Sequence, residues 1–349
     1  MKTEKVQRDS NIELLRIVLM FMIIVHHLVT RGLKLRELES GAYTPMSSTT
    51  FQILLNSFLI VAVNTYVFIS GYFEIKFKLR VLISFIVQCL FYSILLYLVF
   101  VWLGLNSWSL KGIAMTFYFL YKGWWFVPVY LTLYALSPML NKGLAAMNKK
   151  QLICMIVILL ILANIKFVTG NYISGKGYGI YNFIFIYIVA HYCRNYVKKV
   201  DYAWLWYICC SLVTFALAYG LYVFGKPALT WTIYNYNSPV IILAAVFLFY
   251  TFKNISIRSG VINSVAGLVF GTYLFHEQYD VCVYLRDHVM TYVQRIAPND
   301  VALFGLIFLL AIAVFIVGIS IEKIRLYICD PIMNYLYSFK FMQRISDLN

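Results

Sequence analysis

Apolar residues in this chain come in long blocks, not in alternating strands or narrow helical stripes. Blocks of about 18 or more residues, enough to cross roughly 30 Å of hydrocarbon, recur along the whole sequence and are separated by short polar, mostly basic segments. The pattern predicts ten spans, at 12–30, 51–73, 81–103, 115–140, 151–168, 178–195, 203–224, 232–252, 262–281 and 301–322. The fourth carries Pro128 and Pro138, so a kink or break is expected there. The ninth, VINSVAGLVFGTYLFHEQYD, is the least apolar and is a candidate for a partly re-entrant segment. No internal repeat or polar linker interrupts the series. The expected architecture is therefore all-α and polytopic: a cytoplasmic segment over 1–11, one membrane domain over 12–322 and a cytoplasmic tail over 323–349.

Composition sharpens this picture. Of the 349 residues, 62% are hydrophobic and 12% charged, against about half and about a quarter in soluble domains. The net charge of +15 sits in short runs between the spans. That distribution marks topology and attraction to anionic lipid headgroups, and it argues against nucleic acid as a partner. With the N-terminus inside, 18 basic residues fall on the cytoplasmic side, including Lys2, Lys5, Arg8, Arg80, Lys150, Arg194, Lys340 and Arg344. Ten fall opposite, among them Arg31, Lys122, Lys166 and Arg286. The bias orients both termini towards the cytoplasm. The seven cysteines show the spacing of neither a disulfide framework nor a metal site, and read as small core residues. No cleavable signal peptide is expected, because Arg16 interrupts the first apolar run and no small-residue cleavage site follows it.

The first span, NIELLRIVLMFMIIVHHLVTRG, carries the main candidate chemistry. Arg16 and His27 are eleven residues apart, which is three helical turns plus about 20°, so they share one face about 16 Å apart along the axis. Glu13 lies three residues before Arg16, within pairing reach. His26 points about 100° away. An arginine within a span costs about 3 kcal/mol even on lenient insertion scales, so it is expected to face the bundle interior or an aqueous cavity. A simple interfacial anchor accounts for Glu13 and Arg16 as well.

The first span resembles the signature of the membrane acyltransferase-3 family, in which an arginine precedes a histidine by this interval. Three further stretches are similar to that family: NTYVFISGYF (64–73), WWFVPVYLTLYALSP (124–138) and GTYLFHEQ (271–278). The resemblance runs from about residue 11 to 325. Three positions depart from it: Tyr130 stands where many members carry glutamate, Glu13 where aspartate is common, and only Arg80 represents an arginine-rich run after the second span.

The resemblance implies an O-acyltransferase of the bacterial cytoplasmic membrane. Such an enzyme moves an acyl group, usually acetyl, from a coenzyme A thioester to a hydroxyl of a cell-envelope polysaccharide or lipid-linked sugar. Acyl-coenzyme A is then a co-substrate, no resident cofactor is implied, and the implied partners are membrane lipids, the glycan acceptor and polysaccharide-synthesis proteins. A neutral hydroxyl needs a base, and histidine, with an ordinary pKa of about 6.5, suits that task. His27 is the candidate base, and Arg16, with Glu13, the candidate for holding the anionic donor; shaping the cavity by neutralising Glu13 is the other role open to Arg16. Ser70, Gly71, Tyr72, Arg80, Trp125 and His276 are candidate substrate contacts. Close helix packing accounts equally for Ser70 and Gly71, an aromatic belt for Trp125, and a structural hydrogen bond for His276, which neighbours Glu277. His191 and His288 read as interfacial and solvated. The five histidines are too far apart in sequence to suggest a metal site. Two rival readings are a glycan, lipid or acyl-donor carrier without bond-making chemistry, since intramembrane charges also mark transport paths, and a non-catalytic subunit of a polysaccharide-synthesis complex.

Overall fold

The computed structural model describes residues 9–118, 123–165 and 174–338. Lys2, Lys5, Arg8, Lys122, Lys166, Lys340 and Arg344, used above to orient the chain, lie outside them. All regular secondary structure among the described residues is helical, with no strand. In chain order the helices are α1 (Ser10–His27), α2 (Thr49–Leu59), α3 (Ala62–Tyr72), α4 (Leu79–Trp102), α5 (Leu110–Thr116), α6 (Phe126–Ala145), α7 (Lys149–Asn164) and α8 (Ile180–Tyr196). They continue with α9 (Ala203–Val223), α10 (Pro227–Ile233), α11 (Pro239–Lys253), α12 (Gly260–Ala266), α13 (Val269–His276), α14 (Tyr279–Tyr284), α15 (Met290–Ile296) and α16 (Asp300–Ser338).

Among the described residues, five stretches are long and apolar enough to cross a membrane: Ser10–Gly32, Thr49–Tyr72, Leu79–Trp102, Ala203–Val223 and Asp300–Tyr335. Pro239–Lys253 and Gly260–His276 are shorter apolar helices. The protein is thus a helical membrane protein with an inner and an outer layer. In an apolar 18-residue window of Thr49–Tyr72, 72% is buried, against 17% in Ala203–Val223 and 22% in Leu79–Trp102. The last two expose large apolar side chains such as Val99, Leu212, Val213 and Leu217, as a lipid-facing layer does.

Several expected spans are not continuous rods. The expected fourth span, 115–140, takes in the end of α5 and most of α6, which begins at Phe126 and extends to Ala145, with residues 119–122 outside the described residues. Pro128 falls in the first turn of α6, where a missing N–H costs nothing. Pro138 lies inside α6, and the Tyr134 carbonyl that it cannot reach accepts a 2.7 Å hydrogen bond from the Ser137 hydroxyl. The ninth stretch breaks at Gly267–Leu268, between α12 and α13. Its chain turns again at Glu277, beyond which Gln278 caps α14 by accepting from the Val281 N–H. The expected eighth span starts later, at Pro239, after the short α10. α16 runs without a break through position 323 to Ser338.

Small residues let the inner helices close up. A Cβ on Gly71 of α3 would lie 2.8 Å from the Tyr187 backbone of α8. One on Gly318 of α16 would lie 2.7 Å from the Thr272 backbone of α13. Contacts near the helix ends fall into two sets. At one end, Ser10 meets Ser259, Lys253 reaches the Lys198 carbonyl and Arg194 pairs with Glu74. At the other, Lys176 pairs with Glu39, Ser47 bonds Asp300 and Gln294 reaches the Gly32 carbonyl.

Candidate active site

One face of α1 lines a cavity of about 550 Å³. Glu13, Arg16, Met20, Ile23 and His27 occupy it in steps of three and four residues, the repeat of a single helix face. Arg16 and His27 therefore share a face, and that face lines the cavity. Glu13 lies 3.9 Å from the Arg16 guanidinium. The Tyr66 hydroxyl of α3 donates to the Arg16 backbone carbonyl. Arg16 Nε is buried without a hydrogen-bond partner, while 39% of the side chain stays exposed.

At the other end of that face the chain changes pitch. Directly after His27, residues Leu28–Gly32 form a wider π turn, and the Thr30 hydroxyl donates to the His26 carbonyl at 2.7 Å. The turn carries Arg31, four residues after His27, back towards the bundle. Arg31 grips Glu277 with both terminal nitrogens, Nη1 at 2.6 Å from Oε1 and Nη2 at 3.0 Å from Oε2. Its Nη1 also lies 2.9 Å from Cys282 Sγ. His27 Nδ1 is 2.9 Å from Glu277 Oε1 and 3.2 Å from His276 Nε2. His276 is fixed in turn through Nδ1, 2.7 Å from the Thr272 carbonyl. His26 points elsewhere, with Nδ1 2.7 Å from Asn56 Oδ1.

Folding thus overrides the large sequence separation between His27 and His276. One donor atom each from His27, His276 and Glu277 comes within 4.8 Å of the others, the composition of a two-histidine, one-carboxylate metal site. The chemistry of the set favours hydrogen bonds instead. The same carboxylate oxygen that would face a cation already lies 2.6 Å from a guanidinium, and His27 Nδ1 points at both remaining donor atoms.

The other expected contacts divide. Ser70, Trp125 and Tyr130 line the cavity beside Arg16 and His27. Ser70 Oγ lies 3.3 Å from Tyr130 Oη, so the position that is glutamate in many family members holds a phenol on the cavity wall. Trp125 lies edge-on to Tyr178 and parallel to Tyr236. It also borders a second chamber of about 910 Å³, which reaches Arg31, Glu277 and Arg286. Its neighbour Trp124 donates from Nε1 to the Leu274 carbonyl at 3.0 Å, tying α13 to the start of α6. Gly71, Tyr72 and Arg80 are absent from the cavity lining. Gly71 packs on α8, Tyr72 lies against Phe68 and Phe249, and Arg80 bonds Asn334 at 2.7 Å and lies over the Tyr337 ring. All three lie in helix contacts outside that lining. His191 sits 3.3 Å from Glu74 Oε1 beside Arg194. His288 packs on the Tyr284 ring. All seven cysteines are free.

Arg31 and Glu277 are the cluster members that the sequence reading left outside the candidate site. Arg31 had a readable signal, since it follows His27 by four residues, one helical turn. Glu277 had less, because only the turn after α13 brings it to α1.

The fold and site thus define a helical membrane protein whose first described helix presents a glutamate, an arginine and a histidine to a cavity. The family model described as "Acyltransferase domain" matches residues 9–322, nearly the whole chain. The chain belongs to this acyltransferase-3 family. Comparison with curated proteins and with solved structures returned no match.

Proposed function

We propose that this protein transfers an acyl group, usually acetyl, from coenzyme A to a hydroxyl of a cell-envelope polysaccharide or lipid-linked glycan, with His27 as general base. It does so in a bacterial cytoplasmic membrane, crossing it ten times with both termini inside. The observation carrying this reading is that Arg16 and His27 line one cavity from one helix face, about 16 Å apart by helical rise. That separation is of the order of the pantetheine arm. The donor enters from the cytoplasmic end, its phosphates held by Arg16, and its thioester comes to rest beside His27. The acceptor approaches through the second chamber, which meets the first at Trp125.

The steps balance. The acceptor hydroxyl oxygen attacks the thioester carbonyl carbon while His27 Nε2 takes its proton, giving a tetrahedral intermediate. The C–S bond then breaks, and the imidazolium returns the proton to the departing thiolate. The products are the sugar ester and free coenzyme A, with His27 neutral again. General-base assistance of this kind is worth on the order of 10²–10⁴-fold.

Two chambers that share Trp125 as a lining residue also suit a carrier. Purified protein given acetyl-labelled acetyl-coenzyme A and envelope glycan separates the readings. Label covalently bound to sugar, and lost in His27→Gln made at normal levels, is the expected result. Label that crosses the membrane without forming an ester establishes the carrier.

A further inference from the structure

We infer that Glu277 and His276 are positioning residues that hold one tautomer of His27, leaving its Nε2 as the only nitrogen able to accept a proton. The inference rests on the reading of His27 as base and adds the device that sets the base's state. A backbone carbonyl can only accept, so the 2.7 Å contact with the Thr272 carbonyl requires the proton of neutral His276 on Nδ1. His276 Nε2 therefore presents a lone pair. A carboxylate likewise only accepts, and the bidentate Arg31 grip keeps Glu277 ionised and aimed. His27 Nδ1 faces both acceptors, at 3.2 and 2.9 Å. A lone pair there would face two others, so Nδ1 carries the hydrogen and Nε2 does not. Nε2 makes no hydrogen bond within the described residues and is not one of the buried unpaired atoms, while the His27 ring lines the cavity.

The chain of constraint runs from the Thr272 carbonyl through His276, and from Arg31 through Glu277, and both arms end on the same nitrogen. When Nε2 takes the hydroxyl proton, the positive ring already has a carboxylate 2.9 Å from its other nitrogen. The arrangement is the base-and-orienter logic of nucleophile-activating triads. Here it acts on a substrate hydroxyl instead of a protein nucleophile. The residues come from two places far apart in sequence, and Glu277 reaches His27 only because the chain turns between α13 and α14.

The test uses full-length protein in detergent or nanodiscs. Glu277→Gln keeps the size and an acceptor oxygen but removes the charge and allows the amide to flip. It is expected to lower kcat by about 10²–10⁴-fold, as loss of general-base function does, with acyl-coenzyme A binding within about threefold of wild type. Glu277→Asp is expected to recover part of the rate. Nitrogen-15 spectra of the histidines supply a readout that a packing role would not move: His27 is expected to carry its hydrogen on Nδ1 in wild type and to show mixed tautomers in Glu277→Gln and His276→Phe. If His27→Gln is inactive while Glu277→Gln keeps both the rate and the Nδ1–H tautomer, this inference fails and the base survives. If His27→Gln stays active, the reading beneath it fails.

Discussion

Arg16 and His27 differ in what holds them. His27 has two polar neighbours around one ring nitrogen, whereas Arg16 has one carboxylate at 3.9 Å and an unpartnered Nε. A guanidinium with spare donors, partly exposed in a cavity, is set to bind an anion from outside the protein. Arg16→Lys keeps the charge but loses the planar fork, and is expected to raise the Kd for acyl-coenzyme A about tenfold or more while the protein folds normally. Near wild-type donor affinity would reduce Arg16 to a positive charge that balances Glu13. Exchanging Glu13 for Gln is expected to change donor affinity less than Arg16→Lys does.

Elements, rather than residues, decide how these groups meet. α1 supplies a straight ruler from Glu13 to His27, and the π turn after it brings Arg31 to the same side. α13 is only eight residues long, yet it is pinned by Gly318 of α16 against Thr272 and by the Trp124 bond to the Leu274 carbonyl. Helix contacts this close leave no room for a methyl group. Gly71→Val is therefore expected to destabilise the protein by about 1–3 kcal/mol through overpacking against Tyr187. Thermal melting should fall while donor binding to the folded fraction stays unchanged. A variant with unaltered melting and lost donor affinity would return Gly71 to the substrate site.

At the scale of the whole molecule, each helix-end contact named above joins segments assigned to the same side of the membrane. Orientation is then a single choice, made by the basic residues. With both termini inside, a cysteine at Ser40 is expected to react with a membrane-impermeant maleimide on intact cells. A cysteine at Lys150 is expected to react only after permeabilisation. Labelling in the reverse order would invert the topology and put the His27 end of the cavity in the cytoplasm.

The sequence by itself determined the solvent, the helical class, the family resemblance and the one-faced register of Glu13, Arg16 and His27. Each of these depends on local spacing or composition: length of an apolar run, 3.6 residues per turn, the cost of an arginine in lipid. It also marked Ser70 and Trp125, which do reach the cavity. What it left open was which small and basic residues face inwards, because Gly71 and Arg80 satisfy packing and substrate contact equally on one helix read alone. Only the tertiary structure decided where the expected fourth and ninth spans are interrupted, the meeting of His27 with a pair some 250 positions away, and the grip of Arg31 on Glu277. Those contacts are long-range and depend on how helices stack and where a chain turns, information that no single apolar block contains.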